Sequence, residues 1–350
     1  MGERKLIDSG RLEVVNDDID KLQKEIVKQE SSTSCFLVKP ANKWIEEAKS
    51  RPIPKLLFDK FMFEGEVCIL FADTNVGKSI LAVQIANSIS SGIPLNGFQI
   101  ETSPMCVAYF DFELSDKQFE KRYSNNYEDH YKFPDILLRS EIDPEAETPK
   151  EFKDFEEYIC HSFEEVITKY GAKVLIIDNI TYLKSDNERA KDALVLMKHL
   201  KHLNKKYGVS ILVLAHTPKR DATKPITKND LAGSKMLINF CDSAFAIGES
   251  ASEPSVRYIK QIKQRNTEQV FHSENIAICK IENPHNFLKF EFEGFGSESE
   301  HLKQYSTSDL SERDDQILQL KEEGMPNTQI ASRLGISEGT VRNTLKRLDA

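Results

Sequence analysis

Between about residues 65 and 292, continuous apolar runs alternate with amphipathic stretches. The runs EVCILFA (66–72), MCVAYFDF (105–112), KVLIIDNI (173–180) and VSILVLAH (209–216) lack the alternation of a half-exposed strand. They predict strands buried on both faces. Amphipathic stretches near 78–90, 115–127, 151–170 and 189–207 predict helices between them. This rhythm predicts a mainly parallel sheet flanked by helices. After residue 240 the connections shorten. SAFAIG (243–248), VRYIKQIK (256–263), IAICKIE (276–282) and FLKFEFE (287–293) predict further strands at one side of the sheet, partly antiparallel.

The two ends follow other patterns. Leu12, Val15, Ile19, Leu22 and Ile26 are spaced 3, 4, 3, 4, an apolar stripe on one helix that SSTS (31–34) ends. Such a helix either docks on its own domain or on a neighbouring subunit. The Gly/Ser/Glu mixture GFGSESEHLKQYSTS (294–308) has the composition of a linker. The remaining 309–350 predicts three short helices with a small core. The expected organisation is a helical segment at 1–50, an α/β domain at 51–294, a linker at 295–308 and an all-α domain at 309–350.

Composition narrows the function classes. The chain has 350 residues, 39% hydrophobic and 29% charged, with net charge -9, which excludes wholesale disorder. A non-specific duplex-coating protein is basic, so any nucleic-acid contact here must use local basic surfaces. The six cysteines (35, 68, 106, 160, 241, 279) form no CxxC. That argues against a zinc ribbon or a disulfide framework. MGERKLIDSG has no apolar leader region, and no stretch of about 18 apolar residues occurs. These features predict a soluble cytoplasmic protein without membrane contact.

The strand EVCILFA leads into Ala72, Asp73, Thr74, Asn75, Val76, Gly77, Lys78 and Ser79, followed by a helix from Ile80. Strand, loop and helix with GK[ST] at the helix start make a phosphate-binding loop. Loop amides and the helix dipole receive phosphate oxygens. Lys78 should reach the β- and γ-phosphates of ATP, and Ser79 should ligate Mg²⁺. Ala72 stands where the pattern has its first glycine, a position that needs a small residue. Asp178 closes KVLIID at the C-terminal end of a strand, where it can hold Mg²⁺ through water. Asp111 and Glu113 end another strand, and a carboxylate there can polarise an attacking water.

In this order the motifs resemble the RecA superfamily of P-loop ATPases, of AAA type, and within it the DnaB-like and plasmid RepA-like hexameric helicases. The resemblance covers roughly residues 52–293. It rests on the P-loop, on Phe110-Asp111-Phe112-Glu113-Leu114-Ser115, on Asp178, on VLAHTPKR and on YIKQIKQRN. It implies a RecA-like P-loop NTPase core, with Glu113 as the catalytic acid and His216 as the γ-phosphate sensor. It also implies that Lys263 and Arg265, two apart on a late strand, reach a neighbouring subunit's ATP site. The chain would then form a homo-oligomer, expected to be a hexamer.

Three segments could touch DNA. The polar stretch TPKRDATKPITKNDLAGSK (217–235), with Lys219, Arg220, Lys224 and Lys228, reads as a long loop. In RecA-like rings this loop lines the channel and contacts single strands, and a basic loop can track phosphates without reading sequence. TYLKSDNERAK (181–191), with Tyr182 and Lys184, is a second candidate. At the C-terminus, Ser311 and Asp314 suggest a capping box, and Ser337 suggests an N-cap. Ala331, Gly335 and Val341 fall at the spacing of a helix-turn-helix resembling that of bacterial regulators and resolvases. Its last helix would present Thr340, Arg342, Asn343, Lys346 and Arg347 to a duplex. The function expected is a Mg²⁺-dependent ATPase acting on DNA, a helicase or translocase in replication or mobilisation of a plasmid or mobile element. The alternative is an ATP-binding, duplex-binding regulator without motor activity. A protein-remodelling ring that leaves DNA untouched is a third reading.

Overall fold

The computed structural model describes residues 35–179, 189–218, 220–231, 234–304 and 307–348. In the helices that begin at 189, 234 and 307, side chains are described from 195, 237 and 310. The stripe at residues 12–26, Tyr182, Lys184 and Lys219 lie outside the described residues. The chain divides into two compact units, Met1–Ile53 and Pro54–Ala350. In the first, helix α1 (Ala41–Lys49) buries no residue of its own.

The second unit begins with a hairpin, β1 (Leu56–Phe58) and β2 (Met62–Phe63), followed by β3 (Val67–Ala72), α2 (Lys78–Ser91) and β4 (Val107–Asp111). Next come α3 (Asp116–Arg122), the small hairpin β5 (Ser124–Asn125) and β6 (Asp129–His130), β7 (Leu137–Ser140) and α4 (Phe155–Tyr170). Then follow β8 (Val174–Asp178), α5 (Arg189–Tyr207), β9 (Ser210–His216), α6 (Ser234–Phe240) and β10 (Ser243–Glu249). The antiparallel strands β11 (Val256–Lys263), β12 (Ile276–Glu282) and β13 (Lys289–Gly296) close the sheet. They precede α7 (Thr307–Glu322), α8 (Asn327–Leu334) and α9 (Glu338–Leu348).

The main sheet has nine strands in the order β13-β12-β11-β10-β3-β9-β8-β4-β7. From β10 to β7 all pairings are parallel, and from β10 to β13 all are antiparallel. This is the RecA-like α/β core expected, with β9 inserted between the P-loop strand β3 and the Asp178 strand β8. The all-apolar runs are explained by position. In β3, Cys68, Leu70 and Ala72 join one core, with α2 and the aromatic hairpin residues Phe58 and Phe61. Val67, Ile69 and Phe71 join the other, with α4 and α5.

Four expectations are corrected, and one strand is new. The stretch 115–127 is a helix only to Arg122. Asn126 and Tyr127 then take positive φ (53° and 64°) and turn the β5–β6 hairpin. The new strand is β7, since LLRS is too short and mixed to predict one. Residues 217–235 are not a bare loop. A 3-10 turn, Lys228–Asp230, is closed by a Thr227/Asp230 capping box, and α6 follows. Residues 294–308 are not a free linker: β13 runs to Gly296, a 3-10 turn spans Glu298–His301, and Glu298 is fully buried. Finally, α7 starts at Thr307, so Ser311 lies inside it, and Asp314 is a buried acceptor for Arg347 rather than part of a cap.

The C-terminal helices form their own apolar core of Ile317, Leu320, Ile330, Ala331 and Val341. Gly335 (φ 66°) ends α8 in the left-handed region, and Ile336 N–H returns to Ala331 C=O at 3.0 Å. The Ser337 hydroxyl accepts from Thr340 N–H at 3.0 Å, the expected N-cap of α9.

Candidate nucleotide and DNA sites

The parallel strands bring their C-terminal ends to one edge of the sheet. Ala72 pairs with His216 across β3–β9, and Asp111 with Asp178 across β4–β8. Residues 144 positions apart in sequence thus share a crevice, where open α/β sheets bind ligands. The turn between β3 and α2 has two positive-φ residues, Asn75 (64°) and Gly77 (106°). A Cβ on Gly77 would meet Ile281 Cδ1 and Phe290 Cζ at 2.9 Å, so glycine is required there for space as well as for φ.

Lys78 is buried. Its ammonium donates to Asp73 C=O at 2.8 Å and Ala72 C=O at 3.1 Å, and lies 3.1 Å from His216 Nδ1. Burial lowers its pKa, opposed by Asp178, Glu113 and Asp73. The Asn179 amide donates to Glu113 Oε1 at 2.6 Å and sits 2.6 Å from His216 Nε2. Glu113 Oε1 is 3.6 Å from the same ring nitrogen. The neighbouring His216, with Asn179 and Lys78, holds the Glu113 carboxyl below the ordinary range despite its partial burial. A neutral imidazole offers only one acceptor nitrogen. His216 can therefore accept from Lys78 or from Asn179, but not from both at once.

Asp178 is buried, and burial raises its carboxyl to about 6, against hydrogen bonds from Ser79 and Tyr109. Tyr109 donates to Oδ2 at 2.6 Å, while Oδ1 is buried without a partner. A buried, unpartnered carboxylate oxygen next to the P-loop serine suits a hard cation that takes oxygen ligands, so Ser79 and Asp178 fit Mg²⁺. Asp111 has a different part: its Oδ1 accepts Glu113 N–H at 3.2 Å and Leu114 N–H at 3.0 Å.

The structure brings Lys78, Ser79, Glu113, Asp178 and His216 together, and adds Asn179, which the sequence reading missed. An Asn after a strand-end Asp carries no sequence signal of its own. Lys263 and Arg265 stand apart. Because β11 runs antiparallel to β10, Lys263 pairs with Ala244 at the opposite edge of the sheet. Its ammonium donates to Cys241 C=O at 2.7 Å and Ile238 C=O at 2.5 Å. Arg265 lies beyond the strand end, not on it, and pairs with Asp242 at 3.3 Å.

Among the predicted DNA contacts, Arg220 donates to Lys224 C=O at 3.0 Å, Lys224 pairs with Asp221 at 3.2 Å, and Lys228 is exposed on the 3-10 turn. In α9, Arg342, Asn343 and Lys346 form an exposed face opposite buried Val341 and Thr344. Thr340 is half-buried beside Ser337, and Arg347 is tied to Asp314.

A RecA-like P-loop ATPase core followed by a DNA-binding helix-turn-helix is thus the class this chain represents. The chain belongs to the AAA domain family, whose match spans residues 34–222. Residues 308–349 match the bacterial regulatory proteins of the luxR family. A KaiC-like protein from the hyperthermophilic archaeon Pyrococcus horikoshii OT3 aligns over 68% of this chain and 99% of its own, at 14% identity and a TM-score of 0.45. No curated protein matches the chain. Among the described residues, no helix is long and apolar enough to cross a membrane.

Proposed function

We propose that this chain is a Mg²⁺-dependent ATP hydrolase that works on DNA as a ring-forming translocase or helicase, in replication or mobilisation of a plasmid or mobile element. The observation that carries the hydrolysis reading is the convergence of Lys78, Asp178, Glu113 and His216 at one sheet edge. Lys78 would leave its carbonyl partners for the β- and γ-phosphates. Ser79 and Asp178 would hold Mg²⁺, which neutralises phosphate charge. Glu113, kept ionised by its neighbours, accepts a hydrogen bond from the attacking water and orients it. Departure of Lys78 frees His216 Nδ1, so the ring can shift its proton and accept from Asn179. The state of the phosphate end is thereby passed to Glu113 and to the segment after β9. In a hexameric ring, Lys263 and Arg265 would serve a neighbour's site, which suits their distance from their own P-loop.

The test is steady-state ATP hydrolysis with and without single-stranded DNA, with Lys78→Ala as control. Stimulation by single strands, lost in the variant, supports the motor. Turnover that ignores single strands overturns it in favour of a duplex-binding regulator. One observation favours that second reading: the segment leading to the helix-turn-helix grips the loop after β9. Glu298 accepts from Ile226 N–H at 2.7 Å, and Lys303 N–H donates to Ala222 C=O at 3.0 Å. A loop held by its own chain is less available to a strand in a channel.

A further inference from the structure

We propose that Arg139 is a positioning residue for Glu113, acting through the buried Asp111 carboxylate; the inference rests on the hydrolysis reading above. After Asp111 the chain must leave the sheet edge and still present Glu113 to the crevice. The turn that does this is folded by side chains. Asp111 Oδ1 takes the N–H of Glu113 at 3.2 Å and of Leu114 at 3.0 Å, fixing the backbone on both sides of the Glu113 side chain. A fully buried carboxylate persists only when paired. Its Oδ2 accepts from Arg139 Nε at 3.0 Å, and Arg139 comes from β7, the next strand over.

The same guanidinium reaches the rest of the turn. Nη2 donates to Leu114 C=O at 2.8 Å and Nη1 to Asp116 Oδ1 at 3.0 Å. The group lies 4.8 Å over the Phe119 ring, and Glu141 pairs with its outer edge. One rigid plane therefore bonds the start, middle and end of the turn that carries Glu113. None of these bonds involves Lys78 or Ser79, whose partners are Ala72, Asp73, His216 and Asp178. Placement of Glu113 and binding of ATP are separable in this geometry. Lysine can supply the charge beside Asp111 but not the planar fork that serves Asp111 and Leu114 together.

The experiment is turnover of Arg139→Lys in the full chain, alone and with Glu113→Gln, alongside binding of a fluorescent ATP analogue. A small misplacement of a catalytic group costs on the order of 10- to 100-fold. Arg139→Lys is expected to lose kcat by about that factor, with KM and analogue affinity within about threefold of wild type. In the Glu113→Gln background it should add less than about twofold, because the group it places is already gone. Asp111→Asn, which also weakens the pairing, should move kcat in the same direction. Asp116→Ala removes only the exposed arm and should leave turnover within about twofold. Full kcat in Arg139→Lys overturns the inference. So does a loss confined to KM, or an equal proportional loss with Glu113→Gln. Absence of Lys78-dependent turnover in the wild-type chain overturns the hydrolysis reading itself, and this inference with it.

Discussion

Lys260→Met should cost the core about 3–5 kcal/mol. Lys260 and Glu298 form an ion pair at 2.5 Å with side-chain exposures of 8% and 0%. The Lys260 ammonium also donates to Ile226 C=O at 2.9 Å. Glu298 Oε1 accepts from Ile226 N–H at 2.7 Å and from Tyr258 OH at 3.4 Å. Methionine fills the volume but leaves a buried carboxylate without its cation and a carbonyl without its donor. Removing one partner of such a pair typically costs about 3–5 kcal/mol. That is a large share of the roughly 5–15 kcal/mol that holds a domain together. With a urea slope near 3 kcal/mol/M, the midpoint read by far-UV circular dichroism should fall by about 1 to 1.7 M. The loss is also local, since Ile226 C=O loses its donor and the carboxylate that holds its N–H loses its cation. Trypsin should then cut sooner after exposed Lys228. A stability loss under about 1 kcal/mol, with unchanged cleavage, would refute the claim that this pair anchors the loop.

Other substitutions test other parts of the structure. Gly77→Ala adds a Cβ at 2.9 Å from Ile281 Cδ1 on a backbone at φ 106°. It should weaken binding of a fluorescent ATP analogue by about 5- to 150-fold, since strain of about 1–3 kcal/mol falls on the phosphate loop. Ser337→Ala removes the acceptor for Thr340 N–H and should lower protection of the first α9 amides in hydrogen exchange by about 1 kcal/mol. Thiol alkylation should follow burial. Cys35 is exposed and should label first, whereas burial pushes Cys160 and Cys279 up to about 12 and Cys241 to about 11. Mass spectrometry after brief labelling near pH 8 checks this order, and early modification of Cys279 would contradict it.

The parallel core was legible because each of its inner strands is buried on both faces, which writes an uninterrupted apolar run into the chain. The P-loop was legible because its glycine, lysine and serine act within one local turn. The missed features depend on partners distant in sequence. Arg139 sits in a four-residue strand with no apolar period, and its use becomes visible only when β7 lies beside β4. Asn179 gains its role from Glu113, 66 positions earlier. Glu298 has the composition of a linker around it, glycine, serine and glutamate. Composition could not reveal Lys260 or Ile226, which bury it.

That misreading bears on how the chain works. His216 touches Lys78, and the next residue, Thr217, donates its N–H to Ala72 C=O at 3.1 Å, so the end of β9 is joined to the P-loop at two points. Ile226, a few residues on, is gripped through both backbone groups by Glu298 and Lys260. His301 C=O accepts Ala251 N–H at 2.9 Å, and Lys303 N–H bonds Ala222 C=O at 3.0 Å. The helix-turn-helix begins four residues later, at Thr307. The loop after β9 is thus one bonded path between the P-loop and the segment that leads to the helix-turn-helix. A shift of the β9 end has two outlets, breaking the Ile226 anchorage or moving the 298–303 segment with it. If the loop served only a strand in a channel, Lys260→Met would change stimulation by single strands and leave duplex binding by the helix-turn-helix insensitive to ATP. If the path is used, the same variant uncouples duplex affinity from ATP while each activity persists alone. Duplex affinity measured with and without ATP, in wild type and in Lys260→Met, separates the two.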